Sequence, residues 1–495
     1  MTKFQNYING KWEDSSTPNT KENRNPANWE DCVGVFPRSS KEDVDRAIKA
    51  ARAAFETWRL VPAPKRGDIM KKVGDIMTAR KEDIAREMTR EMGKVLEETR
   101  GDVQEGIDTA YYTASEGRRM FGVVAPSELS NKFNMAMRVP VGVCGIITPW
   151  NFPMAIPTWK IFPALVAGNT VVFKPAEDTP KTANTLVRIL AEAGVPAGVV
   201  NLVHGQGSIV GDAIVNHSDV DLVSFTGSTD IGKQLGEVCG RTNKRLSLEM
   251  GGKNAQIVMD DAKLDLALEG VLWGAFGTTG QRCTATSRLI LHEKIHDKFI
   301  DMLVAKVKTL KLGDGLQPGN NVGPVVNESQ MKTVAEYVEI GKKDGAKVAV
   351  GGERDTTGNL SKGWFFKPTV FTGVTPEMRI AKEEIFGPIL SVIKVKSLSE
   401  AITVSNNTAY GLSSSIYTQD INSAYAAIRD IKAGITYINA PTIGAEAHMP
   451  FGGVKGTGNG HREGGWTAFE IFTEWKTVYV DYSGKLQRAQ IDNEA

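Results

Sequence analysis

The stretch Met137-Arg-Val-Pro-Val-Gly-Val-Cys-Gly-Ile-Ile147 decides the fold. Here the pattern turns alternating and rich in β-formers, and from here on short apolar runs alternate with helical stretches, as in a parallel α/β sheet. The runs lie at 141–147, 170–173, 199–203 and 222–225. Between them, 182–193 reads as a helix stopped by Gly194 and Pro196, the expected punctuation. The period resumes after Gly252 with a strand at 255–258, a helical stretch to Phe276 and a strand at 288–292. Two α/β units therefore meet near Gly251-Gly252.

Upstream, from Ser40 to about Gly117, apolar residues recur at three and four in a charged background, which predicts two or three amphipathic helices. Downstream, Glu474-Trp-Lys-Thr-Val-Tyr-Val-Asp-Tyr-Ser483 alternates at period two. A strand at the end of a chain needs a partner edge, either in its own chain or in another subunit.

Composition narrows the function. The chain has 495 residues, 59 Lys+Arg against 58 Asp+Glu, and a formal net charge of +1. Bulk electrostatic attraction to nucleic acid or anionic membrane is not expected, because such affinity rests on many unpaired cations. Cys32, Cys144, Cys239 and Cys283 form no C-x-x-C pair, so neither a disulfide framework nor a structural metal is indicated. No signal-peptide core and no apolar run of about 18 residues stands out. A cytoplasmic protein is expected.

Several segments can carry chemistry. Phe225-Thr-Gly-Ser-Thr-Asp-Ile-Gly-Lys233 follows a strand and opens a helix; it is either a phosphate-binding turn or a plain strand-to-helix turn. In Lys174-Pro-Ala-Glu177, an acidic residue after a strand can hold ribose hydroxyls and repel a 2′-phosphate. Cys283 lies in the polar, glycine-marked Gly280-Gln-Arg-Cys-Thr284. A nucleophilic thiol there needs its pKa lowered, by a cationic ring or a helix N-terminus. Glu249 ends a strand before two glycines, where a general base or a salt-bridged carboxylate fits. Asn151, held in Pro149-Trp-Asn-Phe-Pro153, suits an oxyanion hole or a turn. Glu384 and Phe386, in Glu383-Glu-Ile-Phe-Gly-Pro388, can hold a ribose and a flat ring, or cap a turn.

Together and in this order, these segments resemble the NAD(P)-dependent aldehyde dehydrogenase superfamily, from Tyr7-Ile-Asn-Gly-Lys-Trp12 to Thr473-Glu-Trp-Lys-Thr477, with Pro450-Phe-Gly-Gly453 among the matches. The 34-residue separation of Glu249 and Cys283 is similar to the family's. The resemblance implies a Rossmann-like cofactor domain (1–120 and 141–251), an α/β catalytic domain (252–457) and a small β oligomerisation arm with the tail (121–140 and 458–495). It implies NAD as cofactor, with NADP possible, a small-molecule aldehyde as substrate, and a homodimer or homotetramer.

The resemblance also assigns roles. Cys283 attacks the carbonyl, Asn151 and the Cys283 N–H stabilise the oxyanion, hydride leaves to the nicotinamide, and Glu249 activates water to hydrolyse the thioester. Ile147, Trp150, Lys174, Glu177, Gly227, Ser228, Glu384 and Phe386 would hold the dinucleotide. Lys160 and Glu463 would relay protons, although Gly458-Asn-Gly-His-Arg-Glu463 carries one residue more than the family's usual spacing. Two other readings stand beside this one: a CoA-acylating semialdehyde dehydrogenase, which generally lacks the hydrolytic glutamate, and a catalytically silent binding homologue.

For the substrate, the segments around Cys283 and the carboxyl end look most like microbial family members acting on sugar-acid-derived semialdehydes, 2-oxoglutarate semialdehyde (2,5-dioxopentanoate) among them, and on glyceraldehyde. Arg282 can attract a carboxylate or brace its loop. Phe152, Trp159, Thr284 and Phe451 complete the expected substrate wall and keep it partly apolar.

Overall fold

The computed structural model describes residues 1–492. Among these, the backbone forms two seven-stranded sheets, a three-stranded sheet and a two-stranded hairpin. The first sheet runs Arg245–Glu249, Leu222–Thr226, Val143–Ile147, Thr170–Lys174, Val200–Leu202, then the antiparallel pair Asn6–Ile8 and Lys11–Glu13. Its first five strands are parallel. Val143–Ile147 and Thr170–Lys174 are buried throughout, which is why they read as continuous apolar runs rather than alternating ones. Chain order reverses between Val143–Ile147 and Leu222–Thr226, so a crevice opens at their carboxyl ends.

The second sheet is ordered Lys347–Val350, Thr369–Thr372, Ile389–Val395, Thr286–His292, Asn254–Val258, Ser413–Tyr417, Ile435–Ile438. The helix Leu264–Phe276 covers it and leads through the turn Gly277–Gly280 towards Cys283.

The region expected to hold two or three helices holds four: Lys41–Trp58, Ala63–Ala79, Lys81–Met92 and Leu96–Glu116. Pro62 precedes the second, and Gly93, at φ 93°, ends the third. The first starts from a capping box, Ser40 with Asp43, and buries Val44, Ala47, Ile48 and Ala51, one stripe at helical spacing.

The alternating tail forms the strand Thr473–Asp481, which pairs in its own chain with Lys132–Pro140 over nine positions, from Thr473 opposite Pro140 to Asp481 opposite Lys132. Val123–Pro126 pairs on the other side of Lys132–Pro140. Just before the tail strand, Phe469, Ile471 and Phe472 are only 4%, 1% and 1% exposed and pack into the core of the first sheet's helices. Residues 493–495 of the expected tail lie outside the described residues.

Candidate active site

Cys283 sits between the turn Gly277–Gly280 and the strand Thr286–His292. Thr278 and Thr279 hold φ of 52° and 57°, a backbone that β-branched residues rarely adopt. Glu98 supports it by accepting the Thr278 N–H at 2.6 Å. On the other side, the Asn254 amide donates to the carbonyls of Cys283 at 2.7 Å and Ala285 at 2.9 Å. The paired glycines after Glu249 are required for closeness. A Cβ on Gly252 would stand 2.4 Å from the Cys283 carbonyl, and one on Gly251 2.2 Å from Glu384 Oε2. With the Gly252 N–H donating to Glu384 Oε1 at 2.8 Å, three motifs far apart in sequence converge.

The chain alone does not activate the thiol. Cys283 is half-buried, and burial first, then the Glu384 and Glu249 carboxylates, push its pKa up to about 12. The Thr284 and Cys283 N–H groups pull the other way and do not offset this. Asn151, 2% exposed, donates to the Gln281 carbonyl at 3.1 Å. A carboxamide has two hydrogens, so one remains for a developing oxyanion.

Glu249 is 3% exposed at the end of Arg245–Glu249, and neither carboxyl oxygen has a hydrogen-bond partner among the described residues. Burial, and then Glu463, hold its carboxyl well above the usual carboxylate range; Lys160 and Arg462 pull the other way. Lys160 and Glu463 are buried together as an ion pair, and Lys160 Nζ also donates to Ser224 Oγ at 2.9 Å. The extra residue before Glu463 does not disturb this. Gly460, at φ 99° with open space around it, takes up the slack, while Phe451 and Glu463 exchange backbone hydrogen bonds.

The crevice at the first sheet's reversal collects the expected cofactor residues. Ile147 ends one flanking strand; Gly227 and Ser228 follow the other. Ser228 stands at the start of Thr229–Arg241 without capping it through its side chain, so the helix's first N–H groups are available to an anion. Lys174 Nζ donates to the Pro175 carbonyl at 2.8 Å, and burial lowers its pKa to about 8. Glu177 Oε1 is buried and lies 3.3 Å from Arg38 Nε, with no directed hydrogen bond among the described residues. Trp150 and Phe386 meet edge to face at 5.4 Å, with Phe386 at φ 57°. An uncapped helix start, a carboxylate oxygen with no directed hydrogen bond beyond a sheet strand and an aromatic edge fit a dinucleotide.

A cavity of about 520 Å³ reaches Cys283, and Phe152, Trp159, Arg282, Thr284 and Phe451 all line it. Trp159 and Phe451 pack at 4.8 Å. Arg282 is fixed: its Nε donates to Thr278 Oγ1 at 2.9 Å, Nη2 lies 3.4 Å from Glu98, and the guanidinium stands 5.2 Å from the Phe152 ring centre.

The family model described as "Aldehyde dehydrogenase family" matches residues 12–478. The chain belongs to the aldehyde dehydrogenase family. It is an oxidoreductase that oxidises an aldehyde with NAD(P). This aldehyde dehydrogenase is 44% identical to the α-ketoglutaric semialdehyde dehydrogenase of Bacillus subtilis, over 96% of this chain and 98% of that protein. It is 43% identical to the 2,5-dioxopentanoate dehydrogenase of Saccharolobus solfataricus, over 92% and 95%. A crystal structure of betaine aldehyde dehydrogenase from Staphylococcus aureus in complex with NAD+ superposes with a TM-score of 0.95 at 36% identity, covering 97% of this chain and 95% of that one.

Sequence reading missed one wall of this dehydrogenase's cavity. Glu97, Glu98, Gly101, Asp102 and Glu105 of the helix Leu96–Glu116 line it, as do Asn320 and Asn321. Asp102 pairs with Lys94 at 2.8 Å, both fully buried, and Lys94 Nζ stands 3.5 Å from the Phe152 ring centre. Glu105, through burial and then the Asp102 charge, has its pKa raised to about 8. In sequence these residues look like the solvated face of an amphipathic helix. Among the described residues, no helix is long and apolar enough to cross a membrane.

Proposed function

We propose that this aldehyde dehydrogenase converts a small acidic semialdehyde, of the 2-oxoglutarate semialdehyde class, to the dicarboxylate through a thioester on Cys283. The observation that carries the substrate class is Arg282. It lines the same cavity as the nucleophile, held there by Thr278 and Glu98. The names of the relatives at 44% and 43% identity point to the same class.

Cys283 sulfur forms a bond to the aldehyde carbon as the thiol gives its proton to water in the cavity that reaches it, and the carbonyl oxygen becomes an alkoxide beside the free Asn151 hydrogen. Lys174, Glu177, Ser228, Glu384 and Phe386 would hold the dinucleotide, which would supply the hydride acceptor when bound. Glu249 then takes a proton from the water that attacks the thioester, and the Lys160–Glu463–Ser224 cluster beside it receives that proton. A carboxyl raised by burial is a stronger base once ionised, which suits this step. The presence of Glu249 favours hydrolysis over transfer to CoA, and with intact Cys283 and Asn151 it disfavours a silent homologue. The cofactor, catalytic and arm divisions are proposed as above. The arm's exposed Trp475, Tyr479 and Val480 support a homodimer or homotetramer, and a reducing cytoplasm suits a free thiol.

Comparing kcat/KM on 2-oxoglutarate semialdehyde, succinic semialdehyde, glyceraldehyde, hexanal and benzaldehyde tests the substrate class. The acidic aldehydes should lead, and equal efficiency on hexanal would refute it. Arg282→Gln should lower kcat/KM for acidic aldehydes about 10- to 100-fold, the worth of one charge-assisted hydrogen bond, with a much smaller change for hexanal. Asn151→Ala should cost on the order of 10² to 10³ in kcat, as loss of one oxyanion donor does. Wild-type turnover in that variant would remove Asn151 from the oxyanion site.

A further inference from the structure

We propose that Glu98 is a positioning residue with two tasks: it holds the turn that presents Cys283, and its charge offsets Arg282 in the substrate cavity. The second task rests on the acidic-semialdehyde reading and deepens it; the first does not depend on it.

The turn before Cys283 is an unfavourable piece of backbone. Thr278, Thr279 and Gly280 are consecutive left-handed residues, at φ 52°, 57° and 68°, and only the glycine adopts that region without cost. Such backbone persists where its surroundings hold it. On one side the ties come from the segment 323–326: Thr279 Oγ1 donates to the Gly323 carbonyl at 3.0 Å, and the Val326 N–H donates to Gln281 Oε1 at 2.9 Å. Glu98 supplies a tie from the helix Leu96–Glu116. Its Oε1 accepts the Thr278 N–H at 2.6 Å, a charge-assisted bond. The helix that carries Glu98 is itself anchored, with Val103, Ile107 and Ala110 in the core of the first sheet's helices. Approach is already close, since a Cβ on Gly277 would stand 3.0 Å from the same carboxylate oxygen.

That oxygen also faces a cation. Arg282 Nη2 lies 3.4 Å from Glu98 Oε1, while Arg282 Nε donates to Thr278 Oγ1 at 2.9 Å. The Glu98 and Arg282 side chains are 12% and 13% exposed, and both line the cavity that reaches Cys283. Charges so sheltered are weakly screened by salt. Asp102, one turn further along the helix, is already matched by Lys94. An Arg282 with no carboxylate against it would hold any anion in the cavity, the dicarboxylate product included. With Glu98 beside it, the guanidinium attracts the acidic aldehyde without trapping the product.

Two substitutions separate the tasks. Glu98→Asp keeps the charge but stops one methylene short of Thr278, and Glu98→Gln keeps an acceptor oxygen at full reach without the charge. In Glu98→Asp the first turnover of NADH formation should slow by about 10- to 100-fold for hexanal and acidic aldehydes alike, as a misplaced nucleophile does. Glu98→Gln should recover most of that rate. Charge is read without turnover, from the rates at which iodoacetate and iodoacetamide alkylate Cys283. The iodoacetate-to-iodoacetamide ratio should rise about threefold or more in Glu98→Gln and stay near wild type in Glu98→Asp, because a local charge steers the anionic reagent and not the neutral one. A Glu98→Asp enzyme with the wild-type first turnover, a Glu98→Gln enzyme as slow as Glu98→Asp, or an unchanged ratio in Glu98→Gln would overturn the proposal. If the ratio shifts as expected while the wild type shows no preference for acidic aldehydes, the substrate reading is the part that fails.

Discussion

A Cys283→Ala enzyme is expected to form no measurable NADH from any aldehyde, a fall on the order of 10⁴-fold or more, as when a covalent nucleophile is removed. The size of the effect follows from the chemistry. An aldehyde carries its hydrogen on a trigonal, electron-poor carbon, and hydride loss from it directly would leave an acylium-like centre. Addition of sulfur first gives a tetrahedral alkoxide that releases hydride readily. Among the four cysteines, Cys283 alone lines the large cavity; Cys144 and Cys239 are buried. Burial raises the Cys144 thiol further still, so neither can substitute. Steady NADH formation in the variant, at any rate above about one part in 10³ of wild type, would remove Cys283 from the role of nucleophile.

Glu249→Gln should separate the two halves of the reaction. Oxidation should proceed once, giving a rapid burst of about one NADH per subunit, and hydrolysis should then slow by about 10² to 10⁴, the usual contribution of a general base. The pH profile carries a second signature. Burial and Glu463 raise the Glu249 carboxyl, so the base is protonated at low pH and becomes effective as pH rises through its folded value. Wild-type deacylation should therefore climb towards alkaline pH, and the variant should lose that limb. A variant with neither burst nor loss of steady rate would assign the water-activating step elsewhere.

Much of the fold is legible because parallel strands are buried on both faces. Cys144-Gly-Ile-Ile147, Val171-Val-Phe173 and Leu222-Val-Ser-Phe225 have no solvent side to record, and they read as plain apolar runs. The opening strands Asn6–Ile8 and Lys11–Glu13 were not visible in the same way. They are three residues each, and they depend on Tyr7 meeting Leu202 nearly 200 positions later. The break between the third and fourth helices was equally hidden, since Gly93 reads as one glycine in a charged stretch.

The site divides along similar lines. Cys283, Glu249 and Asn151 stand in local frames of glycine and proline that advertise special backbone. Glu98 and Arg38 do not. Glu98 is one of several glutamates on a charged helix, and only the fold sets it against Thr278 and Arg282. Arg38 is a loop cation until the first sheet brings Glu177 to it across more than a hundred residues. Likewise, the raised thiol is hidden in the sequence, because burial comes first and the carboxylates that add to it, Glu384 and Glu249, come from distant segments.

The central claim is that oxidation passes through an acyl group on Cys283 that Glu249 clears. Mass spectrometry of the Glu249→Gln protein, quenched seconds after mixing with NAD+ and 2-oxoglutarate semialdehyde, tests it most directly. The account predicts a single acyl adduct per chain, mapped to the peptide that contains Cys283 and lost on treatment with hydroxylamine. NADH formation with no adduct, or an adduct on any other residue, would contradict it.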